Sequence, residues 1–379
     1  MRTAQYLSGR YVIAGIGSTA FGRLGLDTVS LNAMACCEAL ADASIDREDV
    51  DALLLKAPTS AREMLYGQKV AEALGMQPRW GGAWDQGGAA NITLISFAIM
   101  AIETGQCDVA LISYADNPRS GSGEVYNRPR GGDAPHGWYS PGAWYAMIQQ
   151  RHIIEYGTPQ EAFGAVAMAA RRHGAANPKA QLRRSLTMED YLSAPYQIEP
   201  MRRDDCCLVS DGGAAVVVMS AERARELRVP APVPILGLGG ANTSAELQNR
   251  VSLTTTAAVR SAGHAFAMAG ARPTDVDVAQ IYDCFSVAVL MTLEDYGFCA
   301  KGRVNDFVRD GQIEIGGRMP VNTSGGLLSE TGMPGMQLIH EGVRQMRGSA
   351  VSQVAGAKLC AISNQGGAMH THATLLLGH

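Results

Sequence analysis

The chain has 379 residues, 46% hydrophobic and 18% charged, with 43 glycines, the balance of a globular α/β protein with many tight turns and not of a disordered or fibrous one. Its formal charge of -4, from 32 basic and 36 acidic side chains, provides no basic field for nucleic acid or an anionic membrane surface. The length calls for one large domain or two fused halves.

The first ten residues contain no hydrophobic stretch of the signal-peptide kind and run straight into a strand at Tyr11–Ile16. No apolar run approaches the roughly 20 residues of a membrane span, so the cytoplasm is the expected compartment and no membrane span is expected. Apolar residues at helical spacing predict a helix over Ser30–Ala43, and Val50–Leu55 reads as a short buried strand. Asn91–Thr104 is apolar on nearly every side, which predicts a helix in the centre of the molecule, stopped by Gly105. Cys107–Tyr114 then reads as a strand covered on both faces.

From Asn117 to Tyr196 the composition shifts toward Arg, Gly, Pro and aromatics, as in an excursion with its own helices, one of them Glu161–His173. Such an insert is a lid or substrate-shaping subdomain, or else a cover over the sheet or a dimer contact. The aromatics Trp138, Tyr139, Trp144 and Tyr145 within it read as packing. A buried strand returns at Ser210–Met219, and prolines 230, 232 and 234 mark a linker. The second half repeats the first: strand from Pro234, helix Thr255–Ala271, strand Val276–Tyr282, helix Cys284–Tyr296, and strands from Lys358 onward around a glycine turn. Asp211-Gly-Gly-Ala214 and Gln365-Gly-Gly-Ala368 are local echoes at equivalent ends of the halves. The expected organisation is therefore a half 1–230 carrying the insert 117–196, and a half 231–379, with a doubly wound single sheet as the alternative.

Candidate chemistry gathers where glycines and small polar residues sit at element ends, because backbone approaches a ligand closely there. These places are Gly87-Gly88, Tyr282-Asp283-Cys284-Phe285, Asn322-Thr323-Ser324-Gly325-Gly326 and Asn364-Gln365-Gly366-Gly367. Tyr282 is able to donate a hydrogen bond to an oxyanion or to move a proton. His370 and His372 are expected on one side of an extended strand, either as a proton-transfer group or as a hydrogen-bonded pair. Two imidazoles without a third ligand do not make a metal site, so no metal is expected. The eight cysteines have no two-residue spacing of the zinc-ribbon or redox kind and read as reduced thiols.

Taken in order, Ser210-Asp211-Gly212-Gly213, Tyr282-Asp283-Cys284-Phe285-Ser286, the Asn322–Gly326 loop and the Gln365–Gly367 turn resemble the signatures of the thiolase superfamily, especially its sterol-carrier-protein thiolases and lipid-transfer-protein-like aldolases. The resemblance implies a thiolase-like α/β fold: two related halves with mixed sheets around buried helices, in a layered α-β-α-β-α arrangement. It also implies a coenzyme A thioester as substrate, with no tightly bound cofactor, a homodimer, and a small zinc-ribbon and OB-fold partner protein. It assigns substrate contact to Gly88, Asn322, Gly325, Gly326, Gly366 and Gly367.

The departures decide the chemistry. Counting back from Gly105 through the buried helix to the family's nucleophilic cysteine lands on Gly88, and Met333 stands where the family has its catalytic histidine. Tyr282 replaces the family's His or Asn. A glycine cannot hold an acyl group, but backbone amides at a helix start still stabilise negative charge. The leading expectation is retro-aldol cleavage of a bulky 3-hydroxyacyl-CoA, with Tyr282, His370 or His372 as base. The alternatives are a thiolase or acetyl-CoA acetyltransferase-type enzyme for a bulky or aryl 3-oxoacyl-CoA, with Cys284 as its thiol, and a non-catalytic acyl-CoA- or lipid-binding subunit.

Overall fold

The computed structural model describes residues 4–61, 63–122, 135–138, 141–332 and 335–379; Tyr139 and Met333 lie outside them. The first strand, Tyr11–Ser18 (β1), leads into Thr28–Ala43 (α1), which Asp27 caps by accepting from the Ser30 amide. Ala52–Lys56 (β2), Tyr66–Ala73 (α2), Trp80–Trp84 (β3), Ala90–Glu103 (α3) and Val109–Asp116 (β4) follow. The excursion carries Pro141–Tyr156 (α4), Gln160–Ala176 (α5), Met188–Ser193 (α6) and a small hairpin of Tyr196–Ile198 (β5) with Met201–Arg202 (β6). Gly212–Ser220 (β7) and Ala221–Glu226 (α7) close the first half of the sheet. Then come Val233–Asn242 (β8), Ala258–Ala269 (α8), Val278–Gln280 (β9), Ser286–Asp295 (α9), Val304–Val308 (α10), Gly326–Ser329 (α11), Met336–Arg347 (α12), Leu359–Gly366 (β10) and Thr371–Gly378 (β11).

The strands run in the order β3-β2-β4-β7-β1-β8-β11-β10-β9. Across β2, β4, β7 and β1 the pairings are parallel, antiparallel, antiparallel, and β9, β10, β11 and β8 repeat that series. The two runs meet along a seam of three residue pairs between β1 and β8. Side-chain alternation sorts the core into layers. On β7, Ala215, Val217 and Met219 join α1 and α2 in an outer cluster, while Ala214, Val216 and Val218 face α3, α12 and the inward residues of β10 and β11 in a central one. A third cluster packs α8, α9 and the excursion. These are the α-β-α-β-α layers of the mixed α/β fold.

Close helix contact recurs in both runs. A Cβ on Gly17 would lie 2.1 Å from the Ala39 amide nitrogen of α1, and one on Gly239 would lie 1.9 Å from the Ser261 carbonyl oxygen of α8. Only glycine lets those helices lie against those strands. One sequence expectation is corrected: α3 is not buried all round, since Met100 is 54% exposed, whereas all ten residues of α9 are buried. Helix α4 had no separate sequence signal beyond the general expectation of helices in the insert.

Candidate active site

The strands β2, β3 and β4 are parallel, and ligands in α/β proteins bind beyond the carboxyl ends of such strands. There the chain turns through Asp85–Gly88 into α3 and meets the turn after β9 and the β10–β11 hairpin. Helix α4 and the segment Arg203–Val209 complete the wall of a cavity of about 920 Å³. That segment is held by backbone bonds from the Cys207 amide to the Cys284 carbonyl (3.0 Å) and from the Leu208 amide to the Leu327 carbonyl (3.1 Å).

At the centre, the turns Gly87-Gly88 and Gly366-Gly367 lie backbone against backbone: a Cβ on Gly87 would stand 2.7 Å from the Gly366 Cα. Gly87 and Gly367 have φ of +59° and +63°, a region that favours glycine. A Cβ on Gly88 would fall 2.4 Å from the Tyr282 hydroxyl oxygen and 2.4 Å from the Gln365 carbonyl oxygen. The phenol therefore fills the volume into which a side chain at position 88 would project. Around it, Gln365 Nε2 donates to the Tyr145 hydroxyl (3.3 Å) and to Cys284 Sγ (3.5 Å), and Tyr145 donates to the Gly367 carbonyl (3.0 Å). Tyr145 also stacks on Phe285 with ring centroids 4.5 Å apart.

Gly88, Tyr282, Cys284, Gly366 and Gly367 thus come together in the cavity wall. Asn322, Gly325 and Gly326 do not line it. Asn322 is buried and pairs with the Ile281 backbone through both ends of its amide (2.7 and 2.8 Å), fixing the residue before Tyr282. Gly326 is needed because a Cβ there would stand 2.2 Å from the Asp283 carboxyl, and Gly325 abuts Gly174 of α5. Asp283 in turn accepts from the Leu327 and Leu328 amides (2.8 and 3.3 Å), capping α11. Burial pushes its carboxyl up to about 7.

The two histidines are also placed elsewhere. Strand β11 begins at Thr371, after a turn in which Met369 takes φ of +61°, so His370 and His372 do not share a strand face. His370 packs against Trp144, and His372 bonds Ser261 Oγ through Nδ1 (2.7 Å) and meets the Tyr296 ring. Burial holds them near 4 and 3 respectively, with Arg250 a second influence on His370, and neither lines the cavity. Exposed His136 does not line it either.

Burial pushes the Cys284 thiol up to about 12, against the nucleophilic role considered for it. Cys206 and Cys207, also in the wall, are raised by burial too. Sequence reasoning missed four cations of the wall: Lys56, Arg171, Arg184 and Arg203. The arginines gather around Asp204, with Arg171 Nη2 at 2.9 Å and Arg203 Nη2 at 3.4 Å from its carboxyl and Arg171 Nη1 donating to the Arg184 carbonyl (3.3 Å). Among the described residues, no three His, Cys, Asp or Glu side chains are grouped to hold a metal, and no helix is long and apolar enough to cross a membrane.

Residues 239–379 match the family model described as thiolase C-terminal domain-like. The chain is 37% identical to the steroid side-chain-cleaving aldolase of Thermomonospora curvata, over 92% of this chain and 93% of that one. It is 38% identical to the 17-hydroxy-3-oxo-4-pregnene-20-carboxyl-CoA lyase of Mycobacterium tuberculosis, over 93% and 95%. Among solved structures, the Ltp2-ChsH2(DUF35) aldolase superposes with a TM-score of 0.89 at 35% identity, covering 98% of each chain.

Proposed function

The chain belongs to the thiolase superfamily, in its lipid-transfer-protein-like branch, and on that premise we propose that it cleaves a bulky 3-hydroxyacyl-CoA by a retro-aldol reaction that forms no cysteine-bound acyl intermediate. The observation that carries this is the Tyr282 hydroxyl standing where a side chain at position 88 would project. The site has exchanged a sulfur attacker for a proton-transfer group.

In this reading Tyr282, as its phenolate, takes the proton of the substrate's C3 hydroxyl and becomes the phenol. The C2–C3 bond breaks, C3 becomes a carbonyl, and the electron pair moves through C2 onto the thioester oxygen as an enolate. A proton returned to C2 gives the shorter acyl-CoA, so no free CoA and no nucleophile are consumed. The histidines of β11 and its turn lie off the cavity, which leaves Tyr282 as the base, while Gly88, Gly366 and Gly367 let the thioester approach backbone. Arg171, Arg184 and Arg203 suit the phosphates of coenzyme A. The wall of Trp144, Phe285, Ile198, Leu208 and Leu328 suits a polycyclic acyl group of the kind for which the two relatives are named. The reading keeps the division into 1–230 and 231–379, with the excursion shaping the substrate wall.

Two assembly partners belong to the same proposal. The strand β3 lies at an edge of the sheet, and Trp84 on it and Met100 on α3 are 47% and 54% exposed, which suits a second copy of this chain. A small zinc-ribbon and OB-fold protein is the further partner expected, a reading supported by the likeness to the Ltp2-ChsH2(DUF35) aldolase.

The test mixes the protein, alone and with the candidate partner, with saturated, 3-hydroxy and 3-oxo acyl-CoA panels and follows products by mass. A carbonyl product and a shorter acyl-CoA are expected from the 3-hydroxy compounds only. Tyr282→Phe is expected to lower turnover at least about a hundredfold while acyl-CoA affinity stays within about threefold. Dependence on free CoA, or a substrate-derived acyl group trapped on any cysteine, would overturn the mechanism.

A further inference from the structure

Every residue of β2 is buried, and its last is a lysine. Lys56 is 2% exposed and lines the cavity. Its Nζ donates to the Ala57 carbonyl (3.0 Å) and lies 4.0 Å from the centre of the Tyr114 ring. The one carboxylate oxygen within 4.0 Å among the described residues belongs to Asp85, whose side chain is 59% exposed and already accepts from the Gly87 amide (3.0 Å). The ammonium is thus only partly compensated. Burying a charge without a close partner costs several kcal/mol, and a methionine or leucine would extend the apolar run of β2 without that cost. A lysine kept there under those conditions points to a task in the cavity.

The surroundings say what the task is. Register places Lys56 beside Trp84 of β3, and the chain runs from Trp84 through Asp85 to Gly88 into α3. The amino end of α3 follows directly on Gly88 of the cavity wall, with Ala89 at its cap, no side-chain cap bond and no acidic residue in its first turn. A helix of this length carries partial positive charge at that end. Two independent sources of positive potential are therefore associated with the cavity that Gly88 and Tyr282 also line, opposed by the exposed carboxylate of Asp85 and the buried one of Asp116. That arrangement favours negative charge that arrives with a ligand or develops during reaction.

We infer that the Lys56 ammonium, together with the amino end of α3, stabilises the thioester oxygen as it takes on the charge of the enolate released by C–C cleavage. The inference rests on the retro-aldol reading and adds a catalytic residue to it: Tyr282 moves the proton and Lys56 receives the charge. Burial lowers the affinity of this lysine for its proton, and the carboxylates of Asp85 and Asp116 oppose that pull without reversing it.

The partial reaction isolates this step. Acetyl-CoA and propionyl-CoA are incubated with the protein, alone and with its candidate partner, in D₂O, and deuterium at C2 is read by mass. The wild type is expected to exchange. Lys56→Met is expected to lower exchange by about a hundred- to a thousandfold, the loss typical of removing one oxyanion donor, with affinity for either ester within about threefold. Lys56→Arg is expected to retain more exchange than Lys56→Met, and ethylamine to restore part of it to Lys56→Ala, which a packing role would not do. Thermal melting confirms that each variant is folded. Exchange by Lys56→Met within about threefold of wild type would sink the inference while leaving retro-aldol cleavage intact. Borohydride trapping of a substrate-derived carbonyl on Lys56 would replace it with covalent chemistry. A wild type that neither exchanges nor cleaves a 3-hydroxyacyl-CoA would remove both readings together.

Discussion

Gly88→Ala is the sharpest probe of the site, because one methyl group tests whether the phenol occupies the space of the missing side chain. The new Cβ would stand 2.4 Å from the Tyr282 hydroxyl oxygen, 2.6 Å from Tyr282 Cε2 and 2.4 Å from the Gln365 carbonyl oxygen, all well inside van der Waals contact. The ring has to swing or the backbone of β10 has to shift, and overpacking of this kind costs about 1–3 kcal/mol. For a proton-transfer group, displacement matters more than stability: a shift of about 1 Å is enough to cost about a hundredfold in rate. Steady-state turnover and thermal melting of Gly88→Ala, Tyr282→Leu and the double variant form the assay. The expected result is a large loss of turnover in Gly88→Ala. Its stability penalty should be relieved by at least about 1 kcal/mol when the ring is absent, leaving the part owed to the Gln365 carbonyl. Full activity in Gly88→Ala, or strictly additive stability effects, would refute the reasoning.

Four further outcomes follow from the structure. His372→Asn should leave turnover within about threefold but destabilise the fold by about 1–3 kcal/mol, since it disturbs a buried bond to Ser261. Burial holds His372 and His340 near 3 and His370 near 4, against 6.5 for a free imidazole. The unfolded chain then binds more protons below about 6.5, so their contribution to stability is lost as pH falls from about 6.5 toward 3. Asp283 and Glu330, raised by burial to about 7, act in the opposite direction, losing their contribution as pH rises from about 4 through 7. Melting curves from pH 8 to 4 report the balance of the two, and removing one of the three histidines should make the variant lose less stability than the wild type on the acid side. Cys284 should react with iodoacetamide at pH 8 at least about tenfold more slowly than glutathione, because its thiol is held near 12; labelling at the glutathione rate would contradict that environment. Trp84→Asp with Met100→Asp should convert a dimer to a monomer in sedimentation, and a wild type already monomeric would dismiss β3 as the contact.

Elements with strong periodicity were legible. Ala90–Glu103 and Gly212–Ser220 lie within two residues of where the apolar runs put them, because burial on both sides leaves little but apolar side chains. The Gly88 and Tyr282 positions were found by motif order, and their contact by neither motif nor spacing, since a space shared by residues far apart in sequence has no local signature. The histidines illustrate the reverse failure. Alternation would place residues 370 and 372 together only if both were extended, but the backbone turns at Met369 before β11 begins. Lys56 escaped notice because a lysine ending a strand ordinarily carries its ammonium to water; here Tyr114 and the cavity wall enclose it. The Asn322–Gly326 loop was expected to touch substrate, but Asn322, Gly325 and Gly326 lie off the cavity wall, and Asn322 braces the backbone before Tyr282.

The attachment of α4 to α9 has a kinetic consequence. His152 bonds both Thr158 and the buried Glu294, Lys301 lies against Glu294 and Asp295, and Tyr145 ties the same helix to Gly367. These contacts tie α4 near both of its ends. Stopped-flow binding of an acyl-CoA is therefore expected to show no slow phase from movement of α4.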